Sequence, residues 1–202
     1  MSAKSNRPGF TDVPEALVAE ALRQYPLAWI ACDGVTFLTA APVVANTTPM
    51  IGHLPRSSPL VERFRNGCEA TFLFVGPHGY LSPSWLSNPD WAPTWNFVSV
   101  QFRAAVRLLD DERELLSHLF ELCALKEDGR SGWTPARLGP RLRPLAQRIV
   151  AFTAQPLQRT LRFKLGQDER DEVFAELLSA LEREPGGAPL RNWMLRLNAW
   201  RD

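Results

Sequence analysis

The chain has 202 residues, of which 45% are apolar and 22% are charged, a composition typical of a globular protein and unlike that of a disordered one. No stretch approaches the roughly 18 consecutive apolar residues of a membrane span, and no apolar run follows the N-terminus as in a secretory signal, so we expect a cytoplasmic location. The 23 basic and 22 acidic side chains leave a net charge of +1, which argues against a dedicated nucleic-acid binder.

Helix signals recur along the chain. Asp12 and Glu15 form a capping-box pattern that predicts a first helix ending near Tyr25. A hydroxyl cap and a proline in residues 57–59 predict the second, with Gly67 at its C-terminal cap. Asp110 or Asp111 predicts the start of a third helix, through about Leu125. Its inward face is predicted to hold Leu115, Leu116, Leu119, Phe120 and Leu122. Residues 133–148 read as a loop with a short helix, and two further helices cover residues 168–183 and 190–200.

Apolar runs predict about six short strands. Residues 98–108 alternate apolar and polar side chains, which is typical of a half-buried antiparallel strand. Asp33-Gly34 between two apolar runs is a strong hairpin signal. The remaining strands are predicted at 27–32, 35–39, 50–54, 70–75, 149–154 and 158–165.

This order of elements indicates an α+β fold. Antiparallel strands with helices between and after them suit a small β-barrel, which leaves no exposed sheet edge. We expect one domain over residues 1–202, with a flexible lead at 1–11 and the helices of 168–202 packed on the barrel. Trp193, Met194, Leu197 and Trp200 form an apolar stripe in the last helix, which could dock on the chain's own core or on a partner.

Residues 76–96, which we expect to be a proline-stiffened loop, form the most unusual segment. Three of the seven tryptophans and four prolines fall here, together with several hydroxyl and amide side chains. Such rings must be buried somewhere. Either they plug a barrel mouth or a subunit interface, or they form a flat wall for a planar ligand.

The sequence gives little support for a metal site, a nucleotide site or a catalytic residue. Cys32, Cys68 and Cys123 lie far apart in sequence with no metal-ligand spacing, so we expect buried, reduced thiols. Phosphate-loop, dinucleotide and zinc-protease motifs do not occur. Because His118 lies within a predicted helix, His53 and His78 are the histidines considered for a site, and no catalytic residue is assigned.

Several motifs resemble one family. Residues 76–85 (GPHGYLSPSW) and 93–97 (PTWNF) closely resemble the signature of the PaiB-type FMN-binding negative transcriptional regulators. Residues 52–59 (GHLPRSSP) and 163–167 (FKLGQ) are similar to further motifs of the same family, in the same order. The resemblance implies an antiparallel split β-barrel with flanking helices and a helical C-terminus, and a homodimer that binds FMN at the subunit interface.

The resemblance also implies which side chains contact the cofactor. Trp85 and Trp95 would form a wall for the flavin ring. The polar contacts would come from Ser82, Ser84, Thr94 and Asn96, and those to the phosphate and ribityl chain from His53, Arg56, Lys164 and Gln167. Among the positions that depart from the family pattern, Ala40 replaces a histidine, Gly166 a serine and Asp168 an asparagine.

Three functions follow as alternatives. The chain is an FMN-binding protein that acts as an oxidoreductase, or a flavin-linked negative regulator, or a degenerate member that serves as a dimeric binding module without cofactor. Residues 126–148 carry a net charge of +4, which is the one candidate footprint for DNA, and residues 168–184 carry −5. These two segments read as solvated faces or as a mating pair across a subunit interface.

Overall fold

We describe the fold from a computed structural model, which covers residues 8–88, 90–109, 111–127 and 131–199. The strands are β1 (Leu27–Cys32), β2 (Thr39–Val44), β3 (Met50–Pro55), β4 (Cys68–Leu81), β5 (Thr94–Leu109) and β6 (Ile149–Lys164). The helices are α1 (Glu15–Gln24), α2 (Leu60–Arg65), α3 (Glu112–Glu127), α4 (Leu142–Ala146), α5 (Asp171–Arg183) and α6 (Ala188–Leu197). Short 3₁₀ helices cover Pro83–Trp85 and Pro135–Arg141.

The six strands form a closed barrel in the order β1-β2-β3-β6-β5-β4. The pairs β1–β2, β1–β4, β2–β3 and β3–β6 are antiparallel. Closure satisfies the hydrogen-bonding groups that an open sheet edge would expose. The α+β barrel expected from the sequence is therefore confirmed.

The chain divides into two compact units. The first takes its described residues from Met1–Tyr25, Val75–Val100 and Thr160–Asp202, and the second from Pro26–Phe74 and Gln101–Arg159. Each of the strands β4, β5 and β6 contributes residues to both units. The first unit also contains α1, α5 and α6, and the second contains β1–β3 and α2–α4.

Strand β5 has the strict alternation that its sequence predicts. Its even-numbered residues from Asn96 to Leu108 are buried, while Arg103, Ala105 and Arg107 are exposed. A period of two places one row of side chains in the core and the other in solvent. The predicted strand 98–108 is thus confirmed and extends four residues further toward its start.

The hairpin after β1 is longer than its turn signal predicts. Asp33-Gly34 does form a tight turn, in which the Val35 N–H donates to the Cys32 carbonyl at 3.1 Å. Pairing does not continue from it, because Ile30 pairs with Thr39. Residues 35–38 are therefore loop, and the strand predicted at 35–39 begins at Thr39.

Two further strand predictions are corrected. Residues 76–81, expected as loop, continue β4, and the inward row of side chains changes phase at Gly76-Pro77, which are both buried. The pair expected at 149–154 and 158–165 is one strand, β6. Pro156 fits there because the pairing of β6 with β3 ends at Ala154, so its missing N–H breaks no bond to that neighbour.

Helix predictions were right in type and wrong in detail. The N-cap of α1 is Pro14, and the Asp12 carboxylate instead accepts from the Gly9 N–H at 2.8 Å, so the capping box is wrong. Asp111 does cap α3, accepting from the Arg113 N–H at 2.6 Å. Phe120, expected to face inward, is 38% exposed. Asp110 and Trp200 lie outside the described residues, and the side chain of Leu125 is likewise not described.

The two C-terminal helices of the first unit are confirmed with shifted ends. Helix α5 begins at Asp171, later than predicted, whereas α6 begins earlier, at Ala188, and ends earlier, at Leu197. In α6, Trp193, Met194 and Leu197 are buried within the chain itself. Trp193 packs edge-on against Phe163, with the ring centroids 6.0 Å apart, and its Nε1 donates to Gln24. Of the two alternatives for the apolar stripe, docking on the chain's own core is the one observed for these residues.

Candidate functional site

An exposed aromatic face lies on β4 and β5 in the first unit. The Trp95 side chain is 54% exposed, an unusual state for so large an apolar ring. The His78 ring stacks on it at a centroid distance of 6.2 Å and 22° between planes. Tyr80 lies at the same distance, tilted by 60°. These three rings form an exposed aromatic cluster at the start of β5, in which Trp95 is the large apolar ring.

The positively charged side chain of Lys164 contacts Thr94, the residue that precedes Trp95. The half-buried Lys164 ammonium, at the end of β6, donates a short hydrogen bond to the hydroxyl of Thr94. Among the described residues no carboxylate is paired with this ammonium. A partly desolvated ammonium held by a neutral hydroxyl is an attractive partner for an anionic ligand group.

The signature residues after β4 form a self-capped turn. Ser82 is the N-cap of the 3₁₀ helix, and its hydroxyl accepts from the Ser84 N–H at 3.2 Å. The two hydroxyls also bond to each other at 2.8 Å. Pro83 occupies the first turn and Trp85, half-buried, the last position. The segment is therefore rigid, and both hydroxyls already have local partners.

Two other predicted site residues lie in the interior of the first unit. Asn96 is 1% exposed, and its amide nitrogen is 3.7 Å from the sulfur of Met194. Gln167 is fully buried and holds the chain reversal after β6. Its Oε1 accepts from the Leu165 N–H at 2.7 Å and its Nε2 donates to the Phe163 carbonyl at 2.6 Å.

The remaining two predicted residues, His53 and Arg56, belong to the second unit. His53 lies on β3, and its Nδ1 is 3.3 Å from the Nε2 of His118 on α3. Burial lowers the pKa of both imidazoles, that of His118 to about 4, with the neighbouring His53 acting in the same direction. Both rings are therefore neutral at pH 7. Exposed Arg56 donates from Nε to the Gln147 carbonyl at 2.7 Å.

His118, which sequence reasoning set aside, is the neighbour of His53 in the structure. It is 3% exposed, and its Nδ1 is a buried nitrogen without a hydrogen-bond partner. The signal was its spacing, because His118 stands three residues after the buried Leu115 and so on the same helix face. A helix can present a side chain to a buried neighbour, so its place in a helix is not by itself a reason to set a histidine aside.

Three of the departures from the family pattern have distinct settings. Ala40 is exposed and pairs across the strands with Trp29. Gly166 has a φ of +81°, and an added Cβ would lie 3.1 Å from Phe174, so the backbone itself favours glycine there. Asp168 is exposed in the turn after β6.

A closed antiparallel barrel of six strands with flanking helices defines the split-barrel class of the chain. A family model described as "Putative FMN-binding domain" matches residues 6–155, about three quarters of the chain. The chain belongs to this family. The match includes the motifs at 52–59, 76–85 and 93–97, on which the resemblance to the PaiB type rests, and the resemblance is thereby confirmed.

One curated protein is similar to this chain in sequence, and solved structures share its fold. The chain is 26% identical over 136 residues to "Protease synthase and sporulation protein PAI 2" of Bacillus subtilis (strain 168), covering 66% of this chain and 64% of that relative's length. The fold is shared with the FAD and heme binding protein of Mycobacterium smegmatis (TM-score 0.60, 18% identity, 81% and 78% of the two chains). It is also shared with the flavocytochrome Anf3 of Azotobacter vinelandii (TM-score 0.62, 17% identity, 81% and 73%).

The described residues contain neither a membrane-spanning helix nor a metal-binding cluster. No helix in this part of the chain is long and apolar enough to cross a membrane. Within the same residues, no group of three or more histidine, cysteine or carboxylate side chains is arranged to hold a metal ion.

Proposed function

We propose that this chain binds FMN, and that the Lys164 ammonium takes the cofactor's phosphate. The observation that carries the proposal is the half-buried ammonium of Lys164, which has the Thr94 hydroxyl beside it and no carboxylate partner among the described residues. A phosphate supplies the missing negative charge and accepts the hydrogen bonds that the ammonium still has to donate.

The exposed aromatic face supports the same proposal. An isoalloxazine ring needs a flat apolar wall, and the exposed indole of Trp95, with His78 and Tyr80 beside it, offers one that water otherwise covers. Removing such a face from solvent stabilises a complex in proportion to the apolar area buried. The donor set therefore fits the cofactor of the family.

Bound FMN would supply redox chemistry by accepting and returning electrons through its ring. The chain's own residues would bind and orient it. Lys164 and Thr94 hold the anionic end, and the aromatic face limits access of water to one side of the ring. We assign no acid or base to catalysis.

Titration of FMN by quenching of its fluorescence tests this proposal. Lys164→Met should weaken FMN binding by at least tenfold, and Lys164→Arg should recover part of the loss because it keeps the charge. Trp95→Leu should also weaken binding without affecting folding, since the ring is exposed. Lys126→Met and Trp133→Leu, which change the same residue types in the second unit, serve as matched controls. Unchanged affinity in both site variants would contradict the proposal.

We further propose that the chain acts as a homodimer in the cytoplasm. The second unit exposes apolar side chains that a monomer would leave wet, with Leu27 51%, Trp29 44% and Phe37 78% exposed. A second copy of the chain covering this face would bury them. Light scattering should give the mass of two chains for the native protein and the mass of one chain for Trp29→Glu. A native protein with the mass of one chain would refute the dimer.

A flavin-linked regulator of transcription is the second candidate. The similarity to PAI 2 motivates it, and four arginines exposed near α4 could contact phosphates. These are Arg137, Arg141, Arg143 and Arg148. Retardation of DNA in a gel should fall steeply as salt rises and should be lost when Arg137, Arg141 and Arg148 become glutamate. Weak, salt-insensitive binding would argue against direct contact with DNA.

A further inference from the structure

Two cysteines distant in sequence meet in the second unit. Cys32 ends β1 and Cys68 begins β4, and these strands pair with Cys32 opposite Ala70. The two sulfurs are 3.2 Å apart, closer than an ordinary contact between thiols. A disulfide bond measures about 2.0 Å, so the sulfurs need to approach by about 1.2 Å. Both cysteines are free thiols in the structure.

The two thiols differ in their access to solvent molecules. A surface cavity of about 450 Å³ has Cys32 in its wall, between the turn at Asp33-Gly34 and Arg103 of β5. Cys68 is not among the residues that line this cavity. A small oxidant that enters the cavity therefore meets Cys32, even though Cys68 is the more exposed residue of the two.

The pKa of the Cys68 thiol differs strongly from that of an ordinary cysteine. Burial raises the pKa of the Cys68 thiol to about 12, and the hydrogen bond and proximity of Cys32 act in the same direction. Cys68 consequently stays protonated at neutral pH and can donate its S–H to the sulfur of Cys32. The contact holds the two sulfurs together, so a sulfur oxidised at Cys32 has its reaction partner beside it.

We propose that Cys32 and Cys68 form a reversible oxidation site, at which a hydroperoxide converts the two thiols into an intramolecular disulfide. The Cys32 sulfur attacks the peroxide O–O bond, taking one oxygen as sulfenic acid and releasing the other as alcohol, or as water from hydrogen peroxide. The Cys68 sulfur then attacks the sulfenic sulfur, an S–S bond forms, and the hydroxide leaves as water with the Cys68 proton. The two thiols lose two electrons, which the peroxide accepts.

The product joins the end of β1 to the start of β4. Residues 33–38, the loop that exposes Phe37, follow directly after Cys32. Oxidation therefore ties down one end of this loop covalently, without requiring the barrel strands to separate. In a reducing compartment, such a disulfide is transient and reports the presence of an oxidant.

Peptide mass spectrometry tests the proposal on the whole native chain. The reduced protein is exposed to hydrogen peroxide, its remaining thiols are blocked with N-ethylmaleimide, and it is digested with trypsin. Cleavage at Arg56 separates Cys32 from Cys68. The expected product is a linked peptide pair lacking two hydrogen atoms, which dithiothreitol reverses. Cys123→Ser, which changes a half-buried cysteine on α3, should leave the linkage intact.

The order of attack has its own measurement. In Cys68→Ser, the sulfenic acid at Cys32 has no thiol to resolve it and should be trapped by dimedone. In Cys32→Ser, Cys68 should give little adduct. Two outcomes would overturn the site: N-ethylmaleimide labelling of both cysteines after oxidation of the wild type, or linkage between separate chains. A dimedone adduct confined to Cys68 would overturn the proposed order of attack.

Discussion

Replacing His118 with leucine should remove much of the chain's loss of stability in mild acid. The imidazole is buried beside His53, and its pKa of about 4 lies below the ordinary value of 6.5 because burial penalises the charged ring. Its Nδ1 lacks a partner, so protonation gains no hydrogen bond in compensation. Leucine would continue the apolar face that Leu115 begins.

The size and sign of the effect follow from proton linkage. An unfolded chain protonates this histidine below about pH 6.5, whereas the folded chain does so only near pH 4. Folding stability therefore falls as the pH drops from 6.5 towards 4 and is least below that window. The difference between the unfolded and folded pKa of His118 corresponds to about 3 kcal/mol of folding stability, of which about 2 kcal/mol is lost by pH 5.

Urea unfolding at pH 7.5, 6 and 5 measures this contribution as the difference between variant and wild type. The difference in unfolding free energy between His118→Leu and the wild type should shift by about 2 kcal/mol in favour of the variant between pH 7.5 and pH 5. Carboxylate titrations are common to both proteins and therefore cancel in this difference. His78→Leu, which changes an exposed histidine, should keep the wild-type dependence. Parallel curves for His118→Leu and wild type would refute the reasoning.

Three other substitutions test the packing around the site. Gly76→Ala should destabilise the fold by about 1–3 kcal/mol in thermal unfolding, because its Cβ would lie 2.9 Å from the Cβ of Val98. Gly166→Ser restores the residue usual in the family, yet it should cost about 1–2 kcal/mol in urea, since the φ of +81° is strained for any side chain. Gln167→Ala should cost about 2 kcal/mol by the same assay, because it leaves the buried Leu165 N–H and Phe163 carbonyl without partners. An unchanged midpoint in any of them would contradict the packing described at that residue.

Local periodicity predicted much of the fold and failed where tertiary pairing decides. Strand β5 follows from alternation alone, since one face is buried along its whole length. Residues 149–154 and 158–165 are predicted as two strands, but β6 runs through Pro156, which lies beyond the stretch paired with β3, where a missing N–H is tolerated. Asp33-Gly34 made its turn, whereas the distance to the first paired residue, Thr39, depends on the barrel register.

The site was predictable as motifs and not as contacts. Matching motifs pointed to Lys164 and Thr94 separately, and their hydrogen bond, between residues 70 positions apart, required the fold. Gln167 was expected at a ligand, but a buried amide can equally serve the backbone, and sequence does not distinguish the two uses. The meeting of His53 with His118 depends on how α3 packs against β3, which no local pattern encodes.

Calorimetric titration with FMN and with riboflavin, which lacks the phosphate, tests the central claim most directly. The wild type should bind FMN at least tenfold more tightly than riboflavin, a preference of about 1.4 kcal/mol or more, because Lys164 contacts the phosphate. In Lys164→Met the preference should disappear while riboflavin affinity stays the same. Equal affinities of the wild type for the two ligands, or no binding of either, would contradict the account.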